Sequence, residues 1–130
     1  MKELTGFTKR MFNLFMPIEQ KISKFILSQE DLWQSDLENL VANNEVVILA
    51  NPRHKNCRPL AVGKKCTTKV NANIGTSPLK STLKEELKKL EIAIKYGADA
   101  VMDLSTGKNL DRKRKELISH CTVPIGSVPL

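Results

Sequence analysis

From Thr68 onward the apolar residues switch repeatedly between a strand period and a helix period, with a short connection at each switch. "TKVNANIG" (68–75) reads as a strand, "STLKEELKKLEIAIKYG" (81–97) as a helix and "ADAVMDL" (98–104) as a strand. "NLDRKRKELIS" (109–119) then reads as a helix and "VPIG" (123–126) as a third strand. When each strand is followed by a helix, the helix carries the chain back to the start of the next strand, so the strands pair in parallel. The crossovers are expected to be right-handed. These constraints leave an α/β fold, either a doubly wound sheet or part of a (β/α) barrel.

The first of these helices is the best marked. Leu83, Leu87, Leu90 and Ile94 fall at i, i+4, i+7 and i+11 and form one apolar stripe. Thr82 and Glu85 have the spacing of a capping box, in which each side chain satisfies a backbone N–H left free at the helix start. Glu85–Lys89 and Glu91–Lys95 are favourable i, i+4 pairs. Gly97 is placed to close the helix in the left-handed conformation.

The part before Thr68 is less regular. Its first 27 residues are amphipathic, basic and rich in Phe, and Pro17 divides them into two helical pieces. Membrane-surface and transit segments share this character, but Glu3, Glu19 and the lack of a Ser-rich or Arg-rich bias argue against transit. The reading adopted is an arm that packs on the body or on a second subunit. A second helix is expected to begin near Ser28, where Ser28 and Asp31 form an S-x-x-D start. Trp33, Leu37, Leu40 and Val41 would share its buried face, with Asn43 and Asn44 as its stop. "VVILA" (46–50) reads as a short buried strand. Residues 51–66, with Pro52, Pro59, Gly63 and many basic side chains, read as an exposed loop whose charge suits an anion.

Composition narrows the function classes. With 130 residues, 41% hydrophobic and 27% charged, the chain has the make-up of one soluble domain. No apolar run is long enough to span a membrane. The formal net charge of +7 would suit nucleic acid or a phosphorylated small molecule. The charge is spread out, however, and the one tight run, Arg112 to Lys115, reads as the solvated face of a helix. One Trp and one Tyr make no stacking platform for single strands. No nucleic acid and no membrane partner are therefore expected. Cys57, Cys66 and Cys121 show no C-x-x-C spacing, which fits reduced thiols in a cytoplasmic protein. His54 with Cys57, and His120 beside Cys121, lack the spacing of a zinc site, so no metal ligand is expected in this chain.

In parallel sheets, ligands bind beyond the carboxyl ends of the strands. Three stretches fall there: Asn71 to Ser77, Met102 to Asn109, and Gly126 to Pro129. In the first strand Val70, Ala72 and Ile74 point to one face, and Asn71 and Asn73 to the other. Two amides so late in a strand suit a polar ligand, or else cap the following loop. Gly75 would let the backbone turn sharply or approach that ligand closely. "VMDLSTGKN" (101–109) resembles a phosphate loop only at first sight. Met stands where a Walker A loop needs its first Gly, and Asn109 follows Lys108, so nucleotide binding by that motif is rejected. Asp103 and Ser105 remain as rim groups for a phosphorylated or polyhydroxy ligand, with capping of the next turn an equal reading for Asp103.

"KVNANIGTSP", "LKEELKKLEIAIKYGADAVMDLSTG" and "VPIGSVP" resemble the phosphomethylpyrimidine synthase family (ThiC), radical enzymes that make the pyrimidine of thiamin. "NEVVILANPRH" is similar to the segment preceding this block in the family, more loosely and with "ILAN" for the usual "IPAN". The resemblance implies a (β/α)8 barrel that rearranges 5-aminoimidazole ribonucleotide using S-adenosylmethionine and a [4Fe–4S] cluster. It also implies a zinc site and a homodimer. By this resemblance the substrate-binding Asn corresponds to Asn73 and the substrate-binding Met to Met102. Asn71, Asp103 and Ser105 are the additional rim residues read from the strands themselves.

The resemblance orders the chain as an N-terminal helical arm (1–44), a strand and basic loop (45–67) and the start of a (β/α) barrel of about three units (68–130). A whole barrel of this kind takes about 250 residues. The family's cluster-binding C-x2-C-x4-C motif and its metal-binding histidines are not matched in this chain. The chain is therefore expected to be a truncated product or fragment, inactive alone and prone to self-association through its uncovered sheet. Cytoplasmic location is expected, or a plastid if the source is a plant or alga. The related hydroxybenzimidazole synthase and a non-catalytic ribonucleotide- or anion-binding module stand as alternatives.

Overall fold

The computed structural model describes residues 18–77 and 82–128. The helical piece expected before Pro17 lies outside the described residues. The chain forms two compact units, one built from residues up to Ile48 together with Ala61–Cys66, the other from Leu49–Leu60 and the chain from Thr67 onward.

In the first unit, α1 (Gln20–Leu27) and α2 (Gln34–Ala42) accompany a two-stranded sheet of β1 (Val46–Leu49) and β2 (Leu60–Gly63). Ile26, Leu37, Leu40, Val46 and Ala61 are its buried core. The second helix starts later than its S-x-x-D signal. Ser28 instead ends α1, its Oγ donating to the Phe25 carbonyl at 2.6 Å, so it is not available as a cap for a following helix. Trp33 becomes the N-cap residue of α2 and is 80% exposed, leaving Leu37 and Leu40 to anchor the helix. Asn44 stops α2 as expected, in the left-handed region at φ 58°, where the Glu45 N–H reaches back to the Leu40 carbonyl at 2.8 Å.

Two further expectations fail here. β1 is not a buried strand: Val46 is buried, but Val47 is exposed, because a strand in a two-stranded sheet covers only one face. The stretch 51–66 is not all loop, since it contains β2, whose "LAVG" is too short and too close to Pro59 and Gly63 to signal a strand alone.

The second unit follows the expected order. β3 (Asn71–Ile74), α3 (Leu83–Lys95), β4 (Ala100–Asp103), α4 (Leu110–His120) and β5 (Ile125–Ser127) alternate, and the three strands form a parallel sheet in the order β3-β4-β5. Ile74, Val101, Leu90, Leu117, Cys121 and Val123 make the core, with Ala72, Leu83, Leu87, Ile94 and Ile125 packed against it. The helices therefore pack on the sheet face that carries Ala72, Ile74, Val101 and Ile125. The architecture is mixed α/β with two small sheets, and the described residues close no barrel.

α3 keeps its full start signal. Thr82 Oγ1 accepts from the Glu85 N–H at 3.4 Å, and Glu85 Oε2 accepts from the Thr82 N–H at 2.5 Å. Gly97 closes it at φ 92°. Glu85 is thereby engaged in the cap, and Lys89 pairs with Glu86, at 2.7 Å, in place of the i, i+4 partner. Near the end of α4, the segment 51–60 is tied down by buried His54, whose Nε2 donates to the Cys121 carbonyl at 2.7 Å.

Candidate functional site

The strand register decides which side chains meet at the carboxyl ends. Asn73 pairs with Met102, and Met102 with Gly126, so these three form one row across β3, β4 and β5. Paired residues of adjacent strands project to the same face of a sheet. The row therefore lies on the face opposite Ala72, Val101 and Ile125, turned away from α3 and α4. The sequence placed Asn73 and Met102 at the ends of separate strands; pairing makes them direct neighbours. Gly126 completes the row, and a flat stretch such as "PIG" carries no side-chain signal from which its part could be read.

Asn71 and Asn73 are exposed on that face, and Asn71 Nδ2 donates to Asn73 Oδ1 at 3.1 Å. This bond orients the Asn73 amide, whose own NH2 carries two donors. Met102 is half-buried between Asn73 and Gly126. An amide and a polarisable thioether side by side present hydrogen-bonding groups and a soft apolar surface, a combination suited to a flat, polar-edged ring.

Asp103 and Ser105 take other surroundings. Asp103 is 1% exposed, one residue out of phase with Met102, so its side chain points to the helical face. Its Oδ1 accepts from the Ser105 N–H at 2.9 Å, and its Oδ2 lies 3.6 Å from Arg114 Nε of α4. Ser105 is fully buried, and its Oγ accepts from the Thr76 N–H at 3.0 Å. Ser105 thus ties the loop after β4 to the loop after β3, while Asp103 braces the β4 loop against α4, both from behind the rim.

That junction is tight. A Cβ on Gly75 (φ +157°) would come 2.6 Å from the Leu104 carbonyl carbon and 2.7 Å from the Ser105 nitrogen. Of the two readings of Gly75, a sharp turn or a close approach to a ligand, the close approach is made, but to the neighbouring loop. Thr76 continues the contact: its carbonyl accepts from the Thr106 N–H at 2.8 Å, and its Oγ1 accepts from Lys113 Nζ of α4 at 3.0 Å.

Sequence reasoning missed Glu86. It lies on α3 between the leucines of the apolar stripe and reads as a surface charge, yet it is completely buried. Its Oε2 accepts from the Gly75 N–H and its Oε1 from Lys89 Nζ, each at 2.7 Å. A charged side chain four residues into an amphipathic helix gives no local sign that a neighbouring loop will bring it a backbone donor. Elsewhere, a recess of about 560 Å3 lies along α3, lined by Leu87, Leu90 and Ile94 with His120 and Thr122. It lies on the helical side, away from the strand ends, and Lys84, Lys88 and Glu91 complete its lining.

Among the described residues no group of three or more His, Cys, Asp or Glu side chains converges on one point. Burial pushes the Cys57 thiol up, with the nearby Cys121 adding to this and Arg58 opposing it. Burial likewise raises Cys121, against a hydrogen bond to Val123. No helix of the described residues is long and apolar enough to cross a membrane.

Residues 17–130 match the radical SAM ThiC family model. The chain is 49% identical over 107 residues to the phosphomethylpyrimidine synthase of Methanococcus maripaludis (strain C7), a match covering 82% of this chain and 25% of that relative. It is 48% identical over 105 residues to the phosphomethylpyrimidine synthase of Thermodesulfovibrio yellowstonii, covering 81% of this chain and 24% of the relative. The chain thus spans about a quarter of the length of the curated relatives it matches.

Proposed function

This chain belongs to the radical SAM ThiC family, and we propose that it forms one wall of the ribonucleotide pocket of a phosphomethylpyrimidine synthase. In this reading β3, β4 and β5 are adjacent strands of a (β/α)8 barrel, and the row Asn73, Met102 and Gly126 faces its interior. The observation that carries the reading is that row. The two residues matched to substrate contacts are register partners, on the face turned away from both helices. A sheet with strands in chain order and helices on one side supports a barrel wall over a doubly wound sheet, which carries helices on both sides.

The substrate is 5-aminoimidazole ribonucleotide, and the reaction of the whole enzyme converts it to hydroxymethylpyrimidine phosphate in thiamin biosynthesis. The Asn73 amide, oriented by Asn71, hydrogen-bonds the polar edge of the ring or ribose. The Met102 thioether packs against the ring face, where sulfur–aromatic contacts are favourable by about 0.3–1.5 kcal/mol. Asp103 and Ser105 act from behind, holding the rim loops in place. The protein works as a homodimer on a small-molecule substrate.

The cofactors of the reading are S-adenosylmethionine, a [4Fe–4S] cluster and zinc. Among the described residues no three His, Cys, Asp or Glu side chains come together, so neither a cluster nor a zinc ion is placed on them. No chemical step is therefore assigned to any cysteine here, and this chain's contribution is binding and orientation. Relatives named phosphomethylpyrimidine synthase at 49% and 48% identity favour the thiamin pyrimidine over a hydroxybenzimidazole product.

Calorimetric titration of the protein with 5-aminoimidazole ribonucleotide tests the reading. Asn73→Ala should weaken binding about tenfold, the loss of one or two hydrogen bonds to a polar ligand. Unchanged affinity in that variant would show that the row is not the pocket.

A further inference from the structure

Gly126 stands in the row with no backbone reason to be glycine. Its φ lies outside the left-handed region that favours glycine, so any residue fits its conformation. Glycine inside a strand costs stability, because it loses the most freedom on folding and offers nothing to pack. What a side chain there would meet is specific. A Cβ on Gly126 would lie 3.2 Å from Met102 Sδ and 3.4 Å from Met102 Cε. Both are the outer atoms of one side chain, the one matched to a substrate contact.

We infer that Gly126 is a positioning residue for Met102: its bare backbone is the bed on which the thioether lies, and it fixes where the sulfur meets the ligand. This inference rests on the pocket reading above and gives Gly126, until now only a member of the row, a role of its own. Methionine has three rotatable bonds and adapts readily to its surroundings. Its end would therefore swing aside when a Cβ is added, at little cost to the fold. The cost falls on the ligand, because a contact atom displaced by about an ångström can lose one to two orders of magnitude in function.

The test is a titration of the full chain with 5-aminoimidazole ribonucleotide, in the parent, Gly126→Ala, Met102→Ala and the double variant. Gly126→Ala should weaken binding about tenfold, with the thermal midpoint within a few degrees of the parent. In the Met102→Ala background the same change should cost less than about twofold, since the group it displaces is gone. In the ligand-free protein, the Met102 ε-methyl resonance should shift on Gly126→Ala. An equal cost in both backgrounds, or parent-like binding by Gly126→Ala, overturns the inference while leaving the pocket reading intact. An unmoved methyl resonance also overturns it. A parent that binds no ribonucleotide overturns the pocket reading and this inference together.

Discussion

Glu86 is the residue whose removal should tell most about how the rim is held. It is fully buried, and it joins α3 to the turn after β3 through the Gly75 N–H and to Lys89 through a 2.7 Å ion pair. In Glu86→Ala the Gly75 amide loses a charged acceptor, which costs about 1.5–3 kcal/mol. The Lys89 side chain is 53% exposed, so its ammonium returns to water and the loss of the ion pair adds less than about 1 kcal/mol. Deleting two buried carbons adds roughly a further 1 kcal/mol, offset by no longer burying a carboxylate. The net expectation is a loss of about 2–3 kcal/mol. For a chain of this size that lowers the thermal midpoint by about 8–12 °C. Glu86→Gln keeps an acceptor for Gly75 and should lose about half as much. Urea unfolding followed by circular dichroism measures the stability, and amide hydrogen exchange at Gly75 reports the anchor itself. The reasoning is refuted if Glu86→Ala loses under about 0.5 kcal/mol and Gly75 stays protected.

Two other expectations concern the frame around the rim. Gly75→Ala should be more damaging than Glu86→Ala, with a total loss of about 3–5 kcal/mol, because its Cβ meets the backbone of Leu104 and Ser105, which cannot rotate away; a stable, cooperatively folded variant would contradict this. The capping box of α3 should make that helix acid-sensitive. Hydrogen bonds from the Thr82 N–H and hydroxyl, with Lys89 nearby, hold the exposed Glu85 carboxyl below its ordinary value. A depressed folded-state pKa adds stability that is present above the unfolded value and lost as pH falls through the folded one. Helicity of α3 should therefore weaken as pH drops below about 4, and Thr82→Ala should abolish most of that pH dependence. An identical acid titration of helicity in Thr82→Ala and the parent would exclude the cap as its cause.

Much of the second unit was legible in the sequence. The apolar stripe of α3, the Thr82–Glu85 box, the Gly97 stop and the β-α-β-α-β order are all local patterns, set by neighbours within a few residues. The split of β3 into an apolar and an amide face follows from its period of two, and the structure has Asn71 and Asn73 exposed on the face opposite Ala72 and Ile74. The first unit was less legible, because its signals compete: Ser28 reads as a helix start but ends α1, and "LAVG" forms a strand only because β1 is there to pair with it.

In the second unit the sequence by itself determined which elements form and which face of β3 is polar, because backbone periodicity and caps act over short distances along the chain. Only the tertiary structure decided that Asn73, Met102 and Gly126 share one row, that Glu86 is an anchor and that Gly75 serves a neighbouring loop. Each of these depends on what a second segment, distant in sequence, brings into contact: a register partner, a backbone donor or a carbonyl too close for a side chain. No local pattern encodes the position of such a partner, so the chemistry of this rim is set where the strands meet.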